Sequence, residues 1–199
     1  MPIEKNEIDL VIEKILPIID DVIAEYDFRK YPSAEYENHK SSFSTLSESH
    51  INIAGAMKWK WGHWGKPNFP AAHKNLIVKI ERLWPKFIAS DCVQNSNLTY
   101  MWWSKNLNKK TTYITVAYIT HLIHYDEPLP IIDQHNFRAM NELLGSIKPS
   151  RKSKKKPSNW DDIMTLKSFM ECLKEKLPSK SFSDIDRFLM MYGKNHAAR

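Results

Sequence analysis

An acidic residue, Asp133, stands where the sequence predicts the start of a helix. Two nearby prolines predict a stiff, extended approach to it. Apolar residues recur behind it at helical spacing until Gly145, which is expected to end the helix. A carboxylate in that position is held at a helix N-terminus, with His135 and Arg138 beside it. Such a carboxylate is a candidate catalytic group, whereas its position alone favours the alternative, an ordinary helix cap without catalysis.

The stretch 57–67 combines aromatic and basic side chains. It holds three Trp, three Lys and one His. Trp rings can stack on nucleic-acid bases, and Lys residues between them can reach phosphates. The alternative is that Trp59 and Trp61 anchor the core and that the glycines only end a helix. An exposed Trp64 would favour the binding interpretation.

The sequence Asn106-Leu107-Asn108 predicts a tight turn before an apolar helix, because Asn tolerates left-handed backbone angles better than other non-Gly residues. Lys109 and Lys110 follow the turn directly. Backbone N–H groups at a helix N-terminus, with lysines beside them, form a candidate phosphate cradle. An ordinary helix–helix connection is the alternative.

A second basic stretch lies between Pro149 and Pro157. Its basic residues are suited to non-specific contact with a nucleic-acid backbone, and a solvated linker is the alternative. They are Arg151, Lys152, Lys154, Lys155 and Lys156.

His121 and His124 have the spacing of two metal ligands on one helix face, and Asp126 and Glu127 follow them. No motif places a third ligand. We therefore expect no metal. With only 5 glycines in the chain, Gly-rich nucleotide loops are disfavoured, and we expect no cofactor.

Composition bounds the class of protein. The 199 residues, 42% of them apolar, suffice for one sizeable core or two small lobes. Residues 1–99 hold 12 Lys+Arg against 13 Asp+Glu, whereas residues 100–199 hold 17 against 10. A basic half indicates a face that meets a polyanion, and solubility alone is the alternative. No apolar run is long enough to predict a membrane span. The acidic N-terminus does not resemble a signal peptide. The two cysteines predict reduced thiols in a cytoplasmic protein.

Apolar spacing predicts about eight helices and no strand, hence an all-α fold. We expect one compact unit, or two lobes formed by residues 30–145 and by residues 1–29 with 146–199. Residues 29–40 are expected to be a loop or short helix. Ser44 or Thr45 is expected to cap the helix that follows, and Ser183 is expected to cap the last helix. The other predicted helices are 5–28, kinked or split at Pro17, then 71–89, 98–104, a helix ending near Ile123, 134–144 and 160–176.

Two of these segments together resemble helix–hairpin–helix DNA glycosylases of the endonuclease III superfamily. Those proteins have a G-V-G hairpin, then x-K-T-A and an apolar helix, then an extended lead into a catalytic Asp in a pattern like V-D-x-H-x-x-R. Residues 106–112 (N-L-N-K-K-T-T) resemble the hairpin and its lysine, with Asn in place of both glycines. Residues 131–138 (I-I-D-Q-H-N-F-R) resemble the Asp segment. The resemblance covers about residues 98–145, and the cysteines of the iron–sulfur members are absent.

The resemblance implies an all-α, two-lobed fold with a degenerate hairpin, and hydrolysis of the N-glycosidic bond of a damaged or modified base in DNA. Asp133 would stabilise the oxocarbenium-like sugar, and Lys110, by attacking C1′, would add lyase activity. Some proteins with a similar Asp pattern act against phages with modified bases. The implied DNA contacts are Asn106, Leu107, Asn108, Lys109, Arg138 and the basic stretch. The extruded base is expected among Trp59, Trp61, His63, Trp64, Trp102 and Trp103.

Two other functions stay open. The first is a non-catalytic helical nucleic-acid-binding protein that uses the same basic face. The second is a helical interaction module whose Trp-rich stretch docks a protein partner. The leading expectation is a monomeric cytoplasmic enzyme that binds DNA and no membrane.

Overall fold

The computed structural model describes residues 3–46, 51–150 and 156–197, and the side chains of residues 109–111 lie outside that description. Within these ranges the chain is all helical, as predicted, with no strand. None of the helices described is both long enough and apolar enough to cross a membrane. A 3₁₀ helix occupies Asp91–Gln94 and a π-helical turn occupies Tyr192–His196. The α-helices are α1 (Lys5–Ile15), α2 (Ile19–Ala24), α3 (Ser33–Ser44), α4 (Ile53–Lys60), α5 (Ala71–Ile88), α6 (Ser96–Asn106), α7 (Lys109–Ile123), α8 (Gln134–Ile147), α9 (Trp160–Lys176) and α10 (Phe182–Met191).

The chain divides into two units. The terminal unit comprises Met1–Tyr26 and Pro128–Arg199, and the central unit comprises Asp27–Glu127. The central unit ends at Glu127, whereas the predicted lobe ends at residue 145. The difference arises because α8 packs against α1, α10 and the π-helical turn, which all belong to the terminal unit. Asp133 therefore belongs to the terminal unit, and the turn at 106–108 belongs to the central unit.

The terminal unit is built on amphipathic helices. Ile8, Val11 and Ile15 of α1 recur at three- and four-residue steps and are buried, as the sequence pattern predicts. Pro17, which lacks an N–H and clashes with the preceding turn, separates α1 from α2. The other helices contribute Phe137, Met140, Leu143, Leu166, Phe169, Leu173, Ile185, Phe188 and Leu189 to the core.

The central unit is organised around α7. Every residue from 115 to 123 is buried, because α3, α4 and α6 all pack against this helix. A helix enclosed in this way is buried on every side, and Val116, Ile119 and Ile123 give it a β-branched sequence that resembles a strand. The largest fully buried side chains of this unit are aromatic, among them Trp84, Trp103, Tyr118, Phe43 and Phe87.

Three helix ends differ from the prediction. Ser44 and Thr45 belong to the end of α3, whereas Asn52 caps α4, accepting a hydrogen bond from the Gly55 N–H at 2.7 Å. The cap of α10 is Ser181 and not Ser183, because Ser181 and Asp184 form a reciprocal capping box.

Helix α8 does not stop at Gly145. It continues to Ile147 and ends immediately before the Lys148-Pro149 pair. A residue that precedes proline is disfavoured in the helical region, whereas an internal glycine only weakens a helix.

Candidate functional site

Asp133 is the N-cap of α8, as predicted. Its backbone is extended, with φ −143° and ψ −176°. Its Oδ1 accepts hydrogen bonds from the N–H groups of His135 at 2.7 Å and Asn136 at 3.0 Å. The side chain is half-buried. The carboxylate is therefore held in one orientation by the backbone of the helix that follows it.

Asn136 completes this arrangement. Its Oδ1 accepts the backbone N–H of Asp133 at 2.9 Å, and its Nδ2 donates to the carbonyl of Ile131 at 3.0 Å. The same Nδ2 donates to Oδ1 of Asp186 in α10 at 3.2 Å. Asn136 is 1% exposed, so these three hydrogen bonds hold a side chain that lies inside the fold. It fixes the backbone on both sides of Ile132 and places Asp133.

Sequence reasoning missed both Asn136 and Asp186. The D-x-x-N spacing of a reciprocal cap could have identified Asn136. Asp186 is 50 residues further along the chain and carries no local signal for this contact.

His135 and Arg138, the predicted neighbours of Asp133, both meet Gly193 of the π-helical turn. The backbone carbonyl of His135 lies against Gly193. Arg138 Nη1 donates to the Gly193 carbonyl at 3.0 Å. The Nδ1 atom of His135 is buried and has no hydrogen-bond partner among the described residues. Arg138, predicted to contact DNA, therefore has a structural partner within the terminal unit.

The turn at 106–108 joins α6 and α7 through only two residues, as the sequence predicts. Asn108 adopts left-handed angles, with φ 56°. Leu107 is buried, and its carbonyl accepts a hydrogen bond from Oγ1 of Thr112 at 2.8 Å. Asn106 Nδ2 donates to the Trp102 carbonyl at 2.8 Å and so closes the end of α6. Of the three predicted phosphate contacts in the turn, Asn108 is the exposed residue.

Most of the predicted basic contacts lie outside the described side chains. Lys109 and Lys110 begin α7, but only their backbone is described. Lys156 is exposed. Arg151, Lys152, Lys154 and Lys155 lie outside the described residues.

Two of the six residues assigned to a base pocket are core side chains. Trp59 is 5% exposed, donates from Nε1 to the Pro32 carbonyl at 3.0 Å, and stacks on Tyr36 and Tyr118. Trp103 is 0% exposed. For Trp59 the alternative of a core anchor is therefore the correct interpretation, and Trp103 has the same role.

The other four residues of the predicted pocket are half-buried. Trp61 stacks on His73 with ring centroids 4.1 Å apart. His63 stacks on Phe69 at 5.7 Å. Of the remaining two, Trp64 stands edge-on to His39, and Trp102 packs beside Phe87 and Trp103.

The two histidines of α7 are occupied by hydrogen bonds. Nε2 of His121 is 2.6 Å from the Tyr36 hydroxyl, and Nε2 of His124 is 2.9 Å from Thr99 Oγ1. Among the residues described, no group of three or more His, Cys, Asp or Glu side chains is arranged to hold a metal ion.

Thr99, His124 and Glu127 have the residue types of a nucleophilic triad. Nδ1 of His124 lies 3.5 Å from Oε1 of Glu127. Burial lowers the pKa of His124, while Glu127 and Asp126 act to raise it. However, Thr99 is 0% exposed and its hydroxyl donates to the Cys92 carbonyl at 2.8 Å. The group therefore ties α6 to the end of α7 and presents no accessible nucleophile.

No protein-family model, curated protein or solved structure matches this chain. The resemblance to helix–hairpin–helix glycosylases consequently stays a prediction that depends on the residues quoted for it.

Proposed function

We propose that this chain is a DNA glycosylase that hydrolyses the N-glycosidic bond of a damaged or modified base. The observation that carries the proposal is the Asp133 carboxylate, oriented by two backbone N–H groups at the start of α8. In the chain it comes after the turn between α6 and α7, which is the order that the resemblance implies.

The chemistry requires a fixed negative charge. Cleavage of an N-glycosidic bond builds positive charge on the sugar, and a carboxylate stabilises that charge best when it needs no reorganisation at the moment of reaction. The cap formed with Asn136 supplies such fixation. In this proposal Asp133 stabilises the sugar cation and orients the attacking water.

The substrate would be a base that can leave the stack. Unstacking costs least at a damaged, mismatched or single-stranded position. The net charge of +7 in residues 100–199 would draw the chain to the phosphate backbone. Modified bases of phage DNA belong to the same class of substrate.

The experiment is base release from modified DNA. The purified chain is incubated with a panel of oligonucleotides that carry damaged or phage-type bases, and free bases and abasic sites are measured by mass spectrometry. We expect release by the wild type and none by Asp133→Asn, which keeps a side-chain oxygen for the cap. Asp161→Asn is the matched control, because Asp161 is an exposed acid in the first turn of α9.

A non-catalytic nucleic-acid-binding protein is the second candidate. It is favoured by the capping role of Asp133, which already accounts for an acid at this position. It predicts salt-dependent DNA binding without base release, unaffected by Asp133→Asn. Negligible DNA affinity at moderate salt would instead support a protein-interaction module.

A further inference from the structure

One stretch of the central unit has an unusual charge. Residues 51–80 contain five lysines and no Asp or Glu. Four of the lysines alternate with aromatic and histidine side chains between residues 58 and 74. This segment is separate in sequence from both Asp133 and the basic stretch at 151–156.

The chain reverses direction tightly at the end of α4, so that residues near Trp61 meet residues near His73. The His63 N–H donates to the Lys58 carbonyl at 2.8 Å, and the Gly62 N–H donates to the Trp59 carbonyl at 3.0 Å. This is the Schellman arrangement, which requires a left-handed residue, and Gly62 has φ +66°. The chain then returns through 63–70 into α5.

The reversal assembles two stacked pairs of rings. Trp61 lies on His73 at 4.1 Å, with an interplanar angle of 29°. His63 lies on Phe69 at 5.7 Å, with an angle of 27°. Nε2 of His63 and Nδ1 of His73 are 3.0 Å apart, so a hydrogen bond joins the two pairs. All four residues are half-buried, so none of them is sealed in the core.

Two lysines lie near one of these rings. Nζ of Lys58 and Nζ of Lys74 lie 5.0 Å and 5.4 Å from the centroid of Phe69. Burial, followed by the charges of His73, Lys66 and Lys30, lowers the pKa of His63. The lysine charges that add to this effect are also favourable to an anion placed beside the ring.

We propose that this aromatic–lysine surface, formed by Lys58, Trp61, His63, Phe69, His73 and Lys74, binds single-stranded nucleic acid. Unpaired bases stack on the rings and the lysines contact the phosphates between them, which is a sequence-tolerant mode of binding. An acidic peptide would match the charge but has no flat faces for the rings. A membrane surface would require projecting apolar side chains, whereas these rings are half-buried and paired. The proposal does not depend on catalysis by Asp133.

The test uses the full chain and a labelled oligothymidine of about 15 nucleotides, with binding measured by fluorescence anisotropy at several salt concentrations. The Lys58→Gln/Lys74→Gln double variant is expected to bind about 10-fold or more weakly, with a log–log salt slope shallower by about 1.4, because each lost phosphate contact removes about 0.7. The matched control is Lys86→Gln/Lys105→Gln, which removes two exposed lysines elsewhere in the same unit. We expect only a small effect from the control. An equal loss in both double variants would attribute binding to overall charge and overturn the proposal.

Substitution of the aromatic rings measures the contribution of stacking to binding separately from that of charge. Trp61→Ala is expected to weaken binding by roughly 5- to 100-fold, whereas Trp61→Phe keeps most of the affinity. Phe69→Leu gives a second test if Trp61→Ala does not fold, as judged by circular dichroism. Tighter binding to duplex DNA, to vesicles of anionic lipid or to polyglutamate than to the oligothymidine would also contradict the proposal.

Asp133→Asn distinguishes the two proposals. This variant is expected to bind oligothymidine as the wild type does. Absence of base release together with ring-dependent binding would refute the glycosylase alone. Base release without any effect of the surface variants on binding would refute the binding surface alone.

Discussion

Gly193 lies against the backbone carbonyl of His135 so closely that a β-carbon at position 193 would be 1.8 Å from the carbonyl oxygen. The atom that would have to move belongs to the first turn of α8, two residues after Asp133. The geometry of the capped carboxylate therefore depends on a glycine in the π-helical turn at the other end of the terminal unit's sequence.

Gly193→Ala is expected to destabilise the protein by at least about 2–3 kcal/mol, because the new methyl group overlaps backbone and not the end of a flexible side chain. Urea unfolding followed by circular dichroism measures the change. Gly145→Ala is the control, since a β-carbon there meets no atom within 4 Å and the residue lies inside α8. It is expected to stabilise the protein by about 0.5–1 kcal/mol. Similar effects of the two substitutions would contradict the close approach.

The capping and chemical roles of Asp133 can be measured separately. Asp133→Ala removes the acceptor of two N–H groups and is expected to cost about 1 kcal/mol in the free energy of unfolding. Asp133→Asn keeps a side-chain oxygen and is expected to stay within a few tenths of a kcal/mol of the wild type. Asn159→Ala, at the N-cap of α9, provides the reference cost of losing a cap. If Asn cost as much as Ala at position 133, loss of base release in Asp133→Asn would reflect unfolding and not lost chemistry.

The parts of the fold that were predicted from sequence depend on local signals. The buried stripe of α1 and the cap at Asp133 follow from spacing and residue type within a few positions, and Pro17 breaks its helix by its own covalent structure. The left-handed turn at Asn108 is equally local, since few non-Gly residues adopt such angles.

The parts that were missed depend on contacts between distant residues. Arg138 and Gly193, whose hydrogen bond helps to hold the π-helical turn on α8, are 55 residues apart. The sequence of helix α3 does not distinguish a helix from a loop, because only His39 and Phe43 of its residues are buried, which gives too little periodicity to predict a helix. The boundary between units also depends on which helices pack against α8, and no local pattern encodes that choice.

His39 makes the stability of the fold sensitive to acid. It is 3% exposed, and burial lowers its pKa to about 4 from the ordinary value of 6.5. The unfolded chain therefore takes up a proton at a pH where the folded chain does not. The contribution of His39 to the free energy of unfolding is constant above about pH 6.5. As the pH falls to about 4, the free energy of unfolding decreases by up to about 3 kcal/mol through this residue. Urea unfolding at pH 7 and pH 4.5 measures this loss, and His39→Leu, which cannot titrate, should show less of it. An unchanged acid sensitivity in His39→Leu would assign the effect to other groups.

Asn136 and Asp186 should be energetically coupled. Asn136→Ala removes the hydrogen bonds that this 1% exposed side chain makes with the Asp133 N–H and the Ile131 carbonyl as well as with Asp186. It is expected to cost about 2–4 kcal/mol, more than Asp133→Ala, because three hydrogen bonds of one buried side chain are lost together. Asp186→Ala is expected to cost about 1 kcal/mol by itself. If the 3.2 Å hydrogen bond between the two side chains stabilises the fold, the double variant should be more stable than the sum of the single losses predicts, by about 0.5–1 kcal/mol. Urea unfolding of the four proteins gives this interaction energy directly. Strict additivity would mean that Asn136 places Asp133 without help from α10.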